Sequence, residues 1–404
     1  MRFNVWKCEK KPLPDVLSFI VDNRGKTVPV TEHGHVLIAT NCIRNENLYP
    51  AYEKVRFLSD ETYRTWFRAH PMPGDIIFVC KGTPGRVCMT PDPIDFCIAQ
   101  DMVALRADPD IVYNKYLLAV LRSANVQKQI EQTSVGDVIP HFKKSYLNQI
   151  LIPVPPMHIQ KAIGDFYFAF SEKIELNKKI NDNLQRQAAA IFKAWFAAYS
   201  PFGGVKPKEW EKVNMESITS FISRGIAPKY SDSSDQAVIN QKCIRNHMID
   251  LSLARTHTPK GMNEKWLRFG DLLINSTGNG TLGRTAQVWF QPEKLTVDSH
   301  VTIVRPAKEN LIFYIGLWGF LHEREMEALH TGSTGQTELP VERVKALELL
   351  LPDNGTLDRF NALIEPMAAA IVSNQEENKR LAALRDTLLP KLMSGEIEAS
   401  AARL

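Results

Sequence analysis

Few residues in this chain have the type and spacing that covalent chemistry needs. Gly278-Asn279-Gly280-Thr281-Leu282-Gly283 fits the G-x-G-x-x-G pattern of a phosphate-cradling loop, and through Arg284-Thr285 it departs from a P-loop only in having Arg for Lys. Both motifs require a helix directly after the last glycine, whose N-terminal N–H groups hold the anion. Thr285-Ala286-Gln287-Val288-Trp289-Phe290 instead alternates and is rich in β-formers, and the related Gly82-Thr83-Pro84-Gly85-Arg86 contains a proline. The expectation is a turn between two strands, with a nucleotide-binding enzyme using Gly278 to Thr285 as the alternative; the element after Gly283 decides between them. His33 and His35, beside Glu32, lack a second ligand cluster, so a polar loop is expected and no metal site. Asp75 and Asp271 each precede an apolar run, the ordinary place for an aspartate that closes a turn or starts a strand. The chain has no Asn/Asp-Pro-Pro-aromatic tetrapeptide of the adenine-methyltransferase kind, no paired His-Glu zinc helix and no G-x-S-x-G elbow. No catalytic residues and no cofactor of its own are expected.

The elements that must position these residues are written twice. Ser18-Phe19-Ile20 recurs as Ser220-Phe221-Ile222, Cys42-Ile43-Arg44-Asn45 as Cys243-Ile244-Arg245-Asn246, and Gly74-Asp75 as Gly270-Asp271. The glycine turn at 82 recurs at 280, and Asn177 and Asn181 recur as Asn374 and Asn378. The matches keep their order at about half the chain length, which marks a duplicated unit and excludes a short-period solenoid. Short apolar runs at Val36 to Ala39, Asp75 to Val79 and Met102 to Leu105 predict strands, joined by a helix near Asn114 to Gln132. Asp271 to Ile274, Val301 to Val304 and a helix near Leu311 to Leu329 repeat the pattern. An α+β domain is expected twice.

Each half ends in a helix. From His158 to Tyr199 there is no proline, and Ile159, Ile163, Phe166, Phe170, Ile174, Asn177, Asn181, Leu184, Ala188, Ile191 and Trp195 follow one another by threes and fours. Phe360, Ile364, Met367, Ile371, Asn374, Asn378, Leu381, Leu384 and Leu388 do the same, with Pro390 expected to stop or kink the second helix. A stripe about 40 residues long spans roughly 55 to 60 Å and cannot be covered by one small domain. Antiparallel pairing of the two would bring residues near 178 and 375 opposite each other, which places Asn177, Asn181, Asn374 and Asn378 as a polar lock on register.

Composition bounds the class. With 404 residues, 44% of them hydrophobic and 23% charged, the chain has ample core for two to four domains, and no disordered or fibrous class is required. Cysteines at 8, 42, 80, 88, 97 and 243 form no CxxC pair and are expected as buried thiols in a reducing cytoplasm. Met1 to Val16 lacks the apolar core of an export signal, and no apolar run reaches membrane-spanning length. A net charge of +4 is compatible with nucleic acid but too mild to identify it.

Leu384-Arg385-Asp386-Thr387-Leu388-Leu389-Pro390-Lys391-Leu392-Met393-Ser394-Gly395-Glu396-Ile397 resembles the second conserved helical region of the specificity (S) subunits of Type I restriction-modification systems. Ile152 to Gln160, Lys173 to Asn177 and Phe192 to Phe196 resemble the first. The resemblance covers essentially the whole chain, while the globular portions match only in pieces. It implies two target-recognition domains, 1–154 and 200–352, in a pseudo-twofold tandem repeat, separated by two long antiparallel coiled-coil helices, 155–199 and 353–404 with the C-terminal tail. It further implies a non-catalytic cytoplasmic subunit that reads a bipartite asymmetric target in double-stranded DNA. Two methyltransferase and two restriction subunits would be its partners, with S-adenosylmethionine, ATP and Mg confined to them. An adaptor of a methylation-only or phage-defence complex would look the same.

Under that resemblance the DNA-binding candidates are chosen by chemistry, since Arg and Lys suit guanine or phosphate and Asn and Gln suit adenine. Shared positions, Arg44 with Arg245, Asn45 with Asn246 and Arg86 with Arg284, suit scaffold or phosphate roles. Differing ones suit base readout: Lys81 against Asn279, and the segment Val138 to Lys144, with Lys143 and Lys144, against Gln336 to Arg343. Thr83, Thr281, Lys242 and Gln336 complete the candidates.

Overall fold

The computed structural model describes residues 3–23, 27–134, 140–261, 264–332 and 337–398. They divide into two units, the first comprising 1–178 with 376–404 and the second 179–375. In the first, a four-stranded antiparallel sheet runs in the order Leu17–Val21, Met102–Ala107, Ile76–Val79, Val87–Met89. A three-stranded sheet beside it has the order Arg56–Leu58, His35–Ile38, Phe96–Ile98, the last pair parallel. The second unit repeats both sheets. Its four strands are Thr219–Arg224, Val301–Pro306, Leu272–Asn275 and Thr285–Gln287, and its three are Arg255–Thr256, Ala237–Ile239 and Leu295–Val297, again with one parallel pair.

The apolar runs at Ile76 and Leu272 become central strands because each is covered on both faces. Alternation along the strand divides the first run: Ile76 and Phe78 join the core that holds Leu117 and Leu121, while Ile77 and Val79 join the one that holds Ile38, Phe96 and Ile98. Leu272 and Ile274 against Leu273 repeat that division.

Asp75 and Asp271 open these strands, and each carries an ion pair that the sequence did not announce. Both oxygens of Asp75 accept from Arg106, each at 2.9 Å, and both oxygens of Asp271 accept from Arg305 at 2.8 and 2.7 Å. Asp75 and Asp271 also accept the backbone N–H groups of Met72 and Arg268, each at 2.8 Å, which closes the turn before the strand. Arg305 donates further to the carbonyls of Glu264 and Trp266. Burial pushes the Asp271 carboxyl up, and the Arg305 hydrogen bonds oppose that rise.

Three expectations require correction. The helix near Asn114 to Gln132 is two helices, Asn114–Arg122 and Ala124–Thr133, because Ser123 is extended and caps the second by accepting from Val126 N–H. Its counterpart likewise divides, at His322, into Ile312–Leu321 and Glu323–Ala328. Pro390 does not stop the second long helix, which continues to Ser394 and ends where Gly395 turns into the left-handed region at φ 73°.

The long helices are Met157–Phe196 and Asn354–Ser394. Asp353 caps the latter, accepting from Thr356 N–H at 2.9 Å and from Trp210 Nε1 at 3.1 Å. Within the first unit Ser171 meets Arg385 and Asn177 meets Asn378; within the second, Asn181 meets Asn374 and the Phe192 ring meets Phe360. Numbers rise on one helix as they fall on the other, so the pairing is antiparallel in each unit.

Asp271→Ala strands a buried guanidinium and is expected to cost about 3–5 kcal/mol in urea unfolding. Asp75→Ala should cost less, because Arg106 is 26% exposed and Arg305 only 7%. Equal losses would contradict the pairing argument.

Candidate nucleic-acid interface

In the first unit the turn after Ile76–Val79 is closed by Val79 N–H to Arg86 O at 2.9 Å and Gly85 N–H to Val79 O at 3.0 Å. Gly82 and Gly85 take φ of 84° and 87°, which a side chain would strain. The backbone of Lys81 pairs with His141, flanked by Gly82 N–H to Pro140 O and Phe142 N–H to Cys80 O. Lys81, Thr83 and Arg86 are thereby brought beside His141, Lys143 and Lys144. Among the described residues Lys81, Arg86 and Lys143 have no ion pair, while Lys144 is neutralised by Asp22 at 2.6 Å. The Lys143 ammonium lies over the Tyr146 ring, 5.7 Å from its centroid. Arg44 pairs with Glu53 at 2.7 Å, and Asn45 Oδ1 accepts from Val87 N–H at 2.9 Å, so both have partners inside the unit.

In the second unit the corresponding turn is closed by Asn275 N–H to Arg284 O and Gly283 N–H to Asn275 O, both 2.8 Å. Residues 275 to 284 span what 79 to 86 span, so this loop is two residues longer. Strand pairing therefore corrects the match of Lys81 with Asn279: Thr277, whose backbone pairs with Glu338, takes the place of Lys81, and Gly278-Asn279 is an insertion. Thr277 is held by Gln241 Nε2 and by His300 Nδ1, the latter at 2.8 Å from its hydroxyl. Thr281 donates its hydroxyl to Thr277 O and Gly278 O. Asn279 is exposed. Glu338 is bound by Arg224 at 2.8 Å, so the charge balance here differs from that of the first unit. Arg284 has no ion pair among the described residues, and Lys242 is exposed at the start of a hairpin. In that hairpin Arg245 pairs with Met248 across a turn formed by Asn246 and His247, at φ of 51° and 58°. Gln336 lies outside the described residues.

Thr285–Gln287 is a strand, antiparallel to Leu272–Asn275, so the glycine loop closes a hairpin and no helix N-terminus follows it. Its geometry therefore lacks the anion cradle of a nucleotide site. His35 Nε2 lies 2.8 Å from Asp60, and the described residues hold no cluster of His, Cys, Asp and Glu able to bind a metal. Burial pushes the Cys97 thiol up to about 12. No described helix is long and apolar enough to cross a membrane.

Residues 32–186 match the family model of the Type I restriction modification DNA specificity domain. Over most of its length the chain is similar to specificity subunits of Type I restriction enzymes. It is 26% identical to the Type I restriction enzyme MjaIX specificity subunit of Methanocaldococcus jannaschii over 71% of this chain and 70% of that protein. It is 21% identical to the HindI specificity subunit of Haemophilus influenzae over 80% and 86% respectively. The crystal structure of a Type-I restriction-modification system S subunit from M. genitalium superposes with a TM-score of 0.53 at 15% identity, covering 95% of each chain, and shares the fold.

Two features of this chain escaped the sequence. Lys178 Nζ donates to Asn47 Oδ1 at 2.7 Å and Glu175 Oε1 at 2.9 Å, and Glu175 accepts from Leu48 N–H, which ties the segment after Asn45 to the first long helix. Glu323 accepts from the Thr285 N–H and hydroxyl and meets His247 at 3.2 Å, anchoring the hairpin of Arg245. Neither Glu175 nor Glu323 has a carboxylate at the matching place in the other half, so the repeat gave no signal for them.

The four seam asparagines pair reciprocally. Asn177 Nδ2 donates to Asn378 Oδ1 at 2.9 Å in the first unit, and the repeat-equivalent Asn374 Nδ2 donates to Asn181 Oδ1 at 2.8 Å in the second. Asn177 also donates to Glu377 at 2.7 Å; that bond and Lys173 hold the Glu377 carboxyl below its ordinary range. Asn374→Ala removes a donor from the buried Asn181 oxygen and is expected to cost about 1–3 kcal/mol in chemical denaturation. An unchanged midpoint would contradict the pairing.

Proposed function

We propose that the chain is the DNA-recognition subunit of a Type I restriction-modification complex, each unit reading one half of a bipartite, asymmetric target. The observation that carries this is duplication with local divergence: the same two sheets and the same bidentate aspartate–arginine pair occur twice, while the glycine turn differs in length and charge. One scaffold bearing two different edges fits two unequal half-sites. In the first unit Lys81, Thr83, Arg86 and Lys143 line the DNA, with Lys144 beside them; in the second, Lys242, Arg245, Asn246, Asn279, Thr281, Arg284 and Gln336 do so. Arg44 and Asn45 act by shaping their loop.

The long helices set the gap between half-sites and dock two methyltransferase and two restriction subunits. The asparagine pairs lock their register, since the Asn177–Asn378 and Asn374–Asn181 hydrogen bonds form together at one offset. The subunit is non-catalytic; S-adenosylmethionine, ATP and Mg act on the partner subunits, in the cytoplasm. The recognition domains and helices act as separate segments, 1–154, 155–199, 200–352 and 353–404.

The test is exchange. Replacing residues 1–152 by the equivalent segment of another specificity subunit, in the complete methylating complex, should change one half of the methylated motif and leave the other intact. A change in both halves, or in neither, overturns the proposal.

A further inference from the structure

We infer that the inserted pair Gly278-Asn279 is the base-reading element of the second unit and that Asn279 takes an adenine in the major groove. This rests on the reading of the units as DNA readers and goes beyond it by naming the residue and the base. The root of the loop is pinned: Thr277 is held by Gln241 and His300, Thr281 by the carbonyls of Thr277 and Gly278, and Leu339 N–H by Ser276 O at 2.8 Å. The tip is open. Asn279 is exposed between two glycines at φ of 97° and 74°, nothing lies within 4 Å of where a Cβ on Gly280 would be, and among the described residues the Asn279 side chain has no hydrogen bond.

A carboxamide offered from a fixed base, with donor and acceptor both unused, matches the N7 acceptor and N6 donor on the major-groove edge of adenine. The first unit offers the contrasting group. Its shorter loop lacks the insertion, and Lys81, in the place of Thr277, carries donors alone, which suit the two acceptors of guanine. A loop lengthened merely as a spacer would not need a free carboxamide at its apex.

The test uses the complete complex with its methyltransferase subunits, reading every methylated site in cellular DNA by sequencing. The half-site of the second unit is assigned by exchanging residues 200–352. In the wild type that half-site should contain a fixed adenine. Asn279→Asp keeps size and turn preference but removes the donor, and discrimination at that one position should fall roughly tenfold or more. Asn279→Gln, which keeps the carboxamide, should retain adenine, and the other half-site should be unchanged in both variants. An unaltered motif in Asn279→Asp, a uniform loss of methylation at all sites, or relaxation in the other half-site overturns the assignment. A wild-type complex that methylates no two-part motif instead overturns the reading of the units as DNA readers.

Discussion

The pairing of two long amphipathic helices is the constraint from which the rest follows. A helix of 40 residues carries an apolar stripe roughly 60 Å long, more than a domain of about 150 residues can cover. Each unit therefore contains part of both helices: residues 157–178 and 376–394 in the first, 179–196 and 354–375 in the second. Phe166, Phe170 and Leu389 complete one core, and Phe192, Phe196 and Phe360 the other. Carboxamides placed among these apolar side chains cost stability unless each finds its partner, which makes one register preferable to its neighbours.

The two units agree with each other where they bear load and diverge where they face outward. The paired Asp and Arg lie beneath the central strand in both copies, and Phe19 and Phe221 lie against the two guanidinium groups at 5.4 and 5.3 Å. Losing either charge would leave the other buried, so drift is opposed there. The turn that follows the same strand is free of that penalty, because its tip touches solvent. Two residues can be added without disturbing a ladder hydrogen bond on either side, and a duplicated scaffold can thereby come to present two different edges.

Much of this was legible in the sequence, for physical reasons. Fully buried strands such as Ile76–Val79 announce themselves as unbroken apolar runs, and the helices by spacing of threes and fours. The glycine turn was read as a hairpin from the β-forming residues after Gly283. Other features could not be read. Arg106 and Arg305 stand 31 and 34 residues beyond their aspartates, and only folding brings them together. Matching the halves on their glycines aligned Lys81 with Asn279, since equal turns look alike wherever the extra residues sit; strand pairing placed the insertion. Pro390 reads as a breaker, but lies four residues before the true stop at Ser394, where Gly395 supplies the left-handed residue.

The central claim is that the paired helices set the spacing between two independently read half-sites. The direct measurement inserts one helical turn of four residues into both helices, between Lys178 and Lys179 and between Gln375 and Glu376, so that the pairs Asn177–Asn378 and Asn181–Asn374 each survive. The methylated motif of the assembled complex is then mapped. The account predicts both half-sites unchanged and the gap between them longer by about one to two base pairs. An assembled, active complex with an unchanged gap, or with altered half-sites, would contradict it.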